Sequence, residues 1–359
     1  MNFQGLKMRA LLSRGIAPAA IFACGMAAVA GAQERSMFVL TSTNNAQGNA
    51  VAVFRLTGGE TPSLELAYTL PTGGKGGASG NAGIVQFKDD RGAVANYGSN
   101  TVSQLVRHGD RIGVGETIQL APDCTKPDSV ALTRDHLFVV GANCAESHTW
   151  PEGHLDGAPV SLTDNTAAQI AVGRTWAAVT MTSGSVLQLP LTHEGGALNG
   201  TSNPVTLPDD ANNTPLGEAF WGDLLGFDPA HSVDSLALVN ASAEVFPIQG
   251  PIPAYPSNAP CWLAKGPLSI WYAGNSPGMA VSIFFSDAKG GSFYKSVPVP
   301  GVATDITVSR DNKWLAVIYT AADGAHVAVF AIDEHGDLKQ MTTSPAIGAA
   351  AFSGVAFSE

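Results

Sequence analysis

Three stretches of the chain carry side chains that could do chemistry. Glu146-Ser147-His148-Thr149-Trp150-Pro151-Glu152-Gly153-His154-Leu155-Asp156 holds two histidines and three carboxylates in eleven residues. Imidazole and carboxylate groups bind divalent metals, and a bound ion brings its water toward a neutral pKa for hydrolysis. His148, His154 and Glu152 are the candidate ligands. Their spacing matches no established metal motif, and a solvated loop is the plainer alternative. Further on, Glu218 and Asp223 flank Phe220-Trp221. A carboxylate beside aromatic rings can have a raised pKa and serve as general base. His148 and His154 are the other candidate bases. Trp150, Phe220 and Trp221 would then line a ligand. Ordinary aromatic packing with both carboxylates in water is the competing reading. Lys75 is the only cation of its loop, within Gly73-Gly74-Lys75-Gly76-Gly77. It could hold a carboxylate or an oxyanion, or simply be solvated. Gly274-Asn275-Ser276-Pro277-Gly278 fits the G-x-S-x-G pattern, but that motif needs a strand-to-helix elbow. Pro277 and Gly278 are turn residues between two apolar runs, so a hairpin is expected here.

These groups need elements to position them. One unit recurs seven times: an apolar strand, a short polar turn and a second apolar strand. Leu315-Ala316-Val317-Ile318 followed by His326-Val327-Ala328-Val329-Phe330 is a clear copy. The turns centre near residues 44, 98, 142, 183, 241, 275 and 321, a mean interval of about 46 residues. Propeller repeats run ~40–50 residues per four-stranded blade. A further apolar strand precedes each unit, as in Ile306-Thr307-Val308-Ser309, and an outer strand often follows, as in Leu64–Leu70. No 3.6-residue pattern runs through the chain after residue 32. The reading is all-β: a seven-bladed β-propeller of four-stranded antiparallel blades. The first unit lacks an inner strand, while Phe352–Phe357 is a strand with no blade after it. The C-terminal strand should therefore close the first blade. Long segments at 71–82, 141–160 and 207–226 are expected to share the face of the blade-to-blade connections.

Composition bounds the function. Charged residues are 14% of the 359, hydrophobic residues 45%, with 40 Gly and 22 Pro. The hydrophobic share excludes a disordered chain, and the breakers exclude a helical bundle. The net charge is −11. Such a body does not bind nucleic acid through bulk charge and is repelled by anionic membranes. Lys7, Arg9 and Arg14, the apolar run Ile16–Ala30 and Ala30-Gly31-Ala32 form the three parts of a signal peptide. Residues 1–32 are expected to be removed, leaving one propeller domain at 33–359, secreted or periplasmic and monomeric. In an oxidising compartment Cys124 and Cys144 are expected to pair, flanking one strand over Ser129–Val140. Cys261 is expected to be a buried free thiol.

Several segments resemble the lactonase family of seven-bladed propellers, which includes 6-phosphogluconolactonase and carboxymuconate-lactonising enzymes. They are Gly48–Phe54, Thr72-Gly73-Gly74-Lys75-Gly76, Asn96-Tyr97-Gly98-Ser99-Asn100-Thr101-Val102-Ser103, Pro127-Asp128-Ser129-Val130, Ala259-Pro260-Cys261-Trp262 and Asp305–Ser309. The resemblance spans 37 to 357 and implies a secreted lactonase-like protein that opens a lactone, a hydrolase or cycloisomerase. It requires no cofactor; a divalent metal is the weaker possibility. The family's Gly-Pro-Arg-His signature is absent, with Leu216–Asp223 in its place. Arg91, Arg134, Arg174 and Arg310 fall in turns after inner strands. A non-catalytic propeller that binds a small ligand or protein on the same face is the alternative.

Overall fold

The computed structural model describes residues 36–359, apart from 60, 79–81, 208–212, 231–234, 242–244, 254–258, 288–289 and 349–351. The expected signal peptide lies outside the described residues.

Seven four-stranded antiparallel sheets follow one another along the chain. The inner strands of blades 1 to 7 are Ser353–Ser358, Val85–Lys88, Ser129–Leu132, Ala167–Val172, Pro215–Trp221, Pro260–Lys265 and Val302–Val308. The second strands are the most apolar runs. His136–Val140 and Trp176–Met181 are buried at every residue. Each packs against a neighbouring blade on both faces, so it has no polar side to present. Outer strands face water: Leu64–Pro71 buries only Leu64.

The C-terminal strand Ser353–Ser358 pairs antiparallel with Met37–Ser42, so the ring closes as the sequence implies. Two buried side chains clamp the seam. Arg107, on the third strand of blade 2, donates to the Ser358 carbonyl at 2.7 Å and to the Ser36 carbonyl. Asp305, on the inner strand of blade 7, accepts from the amides of Gly83 at 3.2 Å, Val355 at 3.2 Å and Ile306 at 2.8 Å. It ties blade 7 to the C-terminal strand of blade 1 and to the segment that enters blade 2. Burial pushes Asp305 up to about 7, while these three amides pull it down.

The residues quoted for the family resemblance have architectural work. Asn96 Nδ2 donates to Ser103 Oγ at 2.8 Å, and its Oδ1 accepts from Thr72 Oγ1 at 2.8 Å and from Asn49 Nδ2 at 3.0 Å. A Cβ on Gly74 would stand 2.3 Å from the Asn96 side chain, so only glycine fits there. Ser42–Asn49 and Asn275–Ser282 repeat the same seven-residue hydrogen-bonded pairing across other hairpins.

Candidate functional site

The expected convergence of long loops on one face does not occur. In an antiparallel blade, the first and third turns lie at one end and the second turn and the blade-to-blade connection at the other. Segment 141–160 is not one loop. Cys144–Thr149 is the third strand of blade 3, so 150–159 emerges at the opposite end from 71–82. Segment 207–226 contains the inner strand Pro215–Trp221, so Trp221 and Asp223 also emerge at that opposite end. Lys75 alone stays on the expected face, exposed.

Each candidate then has a specific place. His148 is buried, with Nε2 3.0 Å from Glu146 Oε2 and Nδ1 3.2 Å from the Gly153 carbonyl. Both ring nitrogens are engaged inside the sheet. Glu152 and His154 are exposed, and no group of three metal-ligating side chains exists among the described residues. The structure thus does not assemble His148, His154 and Glu152 into a metal site. Trp150 is buried in the core between blades 2 and 3. Asp223 Oδ1 accepts from the amides of Arg174 at 3.1 Å and Thr175 at 3.0 Å, stapling blade 5 to blade 4. Phe220 packs edge-on against Trp176 at 4.8 Å. Ser276 lies in the hairpin turn between Ile270–Asn275 and Ala280–Asp287, with no elbow. Cys124 and Cys144 are bonded, Cα to Cα 5.3 Å, and flank a two-stranded hairpin rather than one strand. Cys261 is free but only partly buried.

The remaining candidate, Glu218, lies in the wall of the central channel. A cavity of about 250 Å³ there is lined by all inner strands except that of blade 1. Its ionisable lining residues are Glu218, Lys265 and Asp305. The repeat shows how unusual two of these are. At the register of Glu218, the other blades carry Val355, Val85, Val130, Ile170, Leu263 and Ile306. Two residues later, at the register of Lys265, they carry Phe357, Phe87, Leu132, Val172, Phe220 and Val308. Six apolar residues and one charged residue occupy each ring of seven equivalent positions.

Glu218 is 1% exposed. Neither carboxyl oxygen has a hydrogen-bond partner of good geometry. Burial raises it well above the ordinary glutamate value, and the nearby amides of Ala171 and Thr180 only partly oppose this. Burial therefore favours its uncharged, protonated form, which has an O–H to donate. Its backbone is held rigidly: Gln169 Nε2 donates to the Glu218 carbonyl at 3.0 Å, and Gln169 Oε1 accepts its amide at 2.9 Å. Lys265 sits at the end where inner strands finish, with Nζ over the Trp221 ring at 4.8 Å and the Trp271 ring at 5.4 Å. Burial pulls it down to about 8.

Sequence reasoning missed Lys265, Asp305 and Asp228. Asp228, on the second strand of blade 5, is fully buried, with neither oxygen hydrogen-bonded, and burial raises it well above the usual carboxylate range. It faces Cys261 of blade 6, whose thiol burial first, then Asp228, pushes up to about 11. A second cavity of about 320 Å³ opens where the inner strands finish, among Phe87, Lys88, Val308 and Phe357. Its Arg310 is already paired with Asp89.

No protein-family model and no curated protein sequence matches the chain. Solved structures do match. A provisionally assigned 6-phosphogluconolactonase from Bacteroides fragilis is 13% identical over 91% of this chain and 99% of its own, with a TM-score of 0.63. Another from Bacteroides uniformis is 14% identical over 90% and 100%, with a TM-score of 0.64. A Lactobacillus plantarum protein gives 14%, 90%, 99% and 0.64. The lactonase-like propeller fold is supported, and at such identity the likeness is one of fold.

Proposed function

We propose that this chain binds a small carbonyl compound, a lactone first among them, in the central channel, and opens the lactone ring by hydrolysis. One observation carries the reading: Glu218 is a buried carboxyl on an inner strand that walls the cavity, at a position where every equivalent residue is aliphatic, and burial favours its protonated form. A carboxylic acid in an apolar site can donate to a carbonyl oxygen and stabilise the negative charge that grows there as water attacks. The role differs from the general base the sequence implies, because burial favours the form that keeps its proton. The likeness of fold to provisionally assigned lactonases supports the same reading. The chain carries out this chemistry after export, as its N-terminal segment implies.

The test is hydrolysis of sugar, aliphatic and aromatic lactones by purified 33–359 across pH, with and without chelator. The reading expects turnover that falls as pH rises and Glu218 ionises, indifferent to chelator. Turnover that rises with pH would return Glu218 to the role of base. Loss with chelator would put a metal at the reaction.

A second reading has its own support. Lys75, His148, Asp223 and Trp150 do not surround Glu218, so a binding propeller without turnover fits equally. Titrating the same lactones against tryptophan fluorescence, to which the 47% exposed Trp221 beside Lys265 contributes, separates the two. Saturable quenching without hydrolysis supports binding alone.

A further inference from the structure

We propose that Lys265 is a nucleophilic amine that captures small aldehydes or ketones in the channel as an imine. The proposal stands on Lys265 alone, whether or not Glu218 opens a lactone.

Three observations lead to it. First, Lys265 takes a position in the ring of inner strands that is apolar in the six other blades, and it is among the residues that line the channel cavity. A solvated surface lysine has no reason to be there. Second, Nζ donates to two backbone carbonyls of its own turn, Gly266 at 2.8 Å and Leu268. Two acceptors match the two N–H bonds of a neutral amine and leave its lone pair pointing away from both. An ammonium would use the same two acceptors and turn its third N–H toward the indole faces. Third, the indole faces of Trp221 and Trp271 hold the group. Trp271 is fully buried and Trp221 is half exposed, so the amine is shielded on one side only. The residues that shape the turn favour the same arrangement. Leu268 has φ of 48°, a left-handed conformation that turns its carbonyl within reach of the amine. Its side chain is 78% exposed, so the core does not require it.

Burial disfavours the charged form of Lys265. The neutral amine is therefore half populated near pH 8, well below an ordinary lysine. Desolvated lysines of this kind are the usual imine-forming nucleophiles.

The chemistry balances without any oxidant. The Nζ lone pair attacks the carbonyl carbon, and the carbonyl π pair becomes an alkoxide that takes one amine proton. The carbinolamine then loses its hydroxyl with the remaining N–H proton as water, leaving C=N. Hydrolysis reverses it. An aromatic aldehyde fits best, since its ring can lie against Trp221.

The experiment uses the full 33–359 protein with benzaldehyde and sodium cyanoborohydride, which reduces an imine to a stable secondary amine. Labelled sites are located by peptide mapping. The proposal expects Lys265 to be labelled at least tenfold faster than the exposed Lys75, Lys88 and Lys313 in the same sample. The rate at Lys265 should rise with a midpoint near pH 8. Because sites are compared within wild-type protein, the result does not depend on any variant folding. Lys265→Arg, which keeps the cation between the indoles, should remove the fast label only. Equal labelling of all four lysines, or a midpoint above pH 10 at Lys265, would overturn the proposal.

Discussion

Replacing Glu218 with leucine should stabilise the protein while removing its proposed chemistry. Six equivalent positions already carry valine, leucine or isoleucine. The site is therefore shaped for a branched aliphatic side chain. A buried carboxyl without a good partner costs about 1–3 kcal/mol, and leucine removes that cost. The gain should also depend on pH. The folded value is raised above the unfolded one, so above pH 4.5 the unfolded chain releases a proton that the native protein keeps. Stability then falls as pH rises through that window, by about 1.4 kcal/mol per unit for one such group. Asp228 and Asp305 have raised values as well, but both remain in the variant, so the difference between the two proteins isolates Glu218. Urea midpoints of wild type and Glu218→Leu at pH 4.5 and 6.5 supply the assay. Leucine should raise the midpoint at both, and by more at pH 6.5. A lower midpoint at both values, or an equal gap at the two, would refute the reasoning.

Other consequences follow from the same geometry. Arg107→Met leaves the Ser36 and Ser358 carbonyls without their charged donor and should cost about 3 kcal/mol in urea unfolding. Deleting 350–359 removes the inner strand of blade 1 and exposes the edge of Met37–Ser42. That protein should be recovered aggregated or protease-sensitive rather than folded. Cys124→Ser with Cys144→Ser opens a loop of 20 residues and should lower stability by about 3 kcal/mol, read from denaturant midpoints. Asp305→Asn keeps an acceptor for Gly83 and Val355 but cannot titrate. The stability that wild type loses between pH 4 and 7 through this group, whose folded value is about 7, should be absent from its pH profile.

The architecture was legible because blades stack face to face. That forces apolar second strands such as Leu315–Ile318, and their hairpins recur at a fixed interval. The site was obscured by strands that break this rule. Cys144–Thr149 reads as polar loop because Glu146 and His148 satisfy each other inside the sheet. Pro215–Trp221 reads as loop because Pro215, Gly217 and Glu218 lack strand character, although Gly217 is needed where a Cβ would stand 2.5 Å from the Leu263 amide. A signal was present all the same. Inner strands finish aliphatic, small or polar, apolar, as in Ile170-Ala171-Val172, Val130-Ala131-Leu132 and Ile306-Thr307-Val308. Against that triplet, Glu218-Ala219-Phe220 and Leu263-Ala264-Lys265 each carry one charge out of place. Placing the strands in register would have found both. Asp228 and Asp305 left no comparable mark, because their burial depends on how neighbouring blades meet.

The central claim is that Glu218 serves a reacting carbonyl in the channel. The direct measurement is kcat/KM for the best lactone in the panel, for wild type and for Glu218→Gln, which keeps the shape but has no acidic proton. A lost acid or oxyanion donor lowers rates ~10²–10³-fold. The account predicts a fall of that size with the fold unchanged. Turnover within twofold of wild type would place the reaction elsewhere and contradict it.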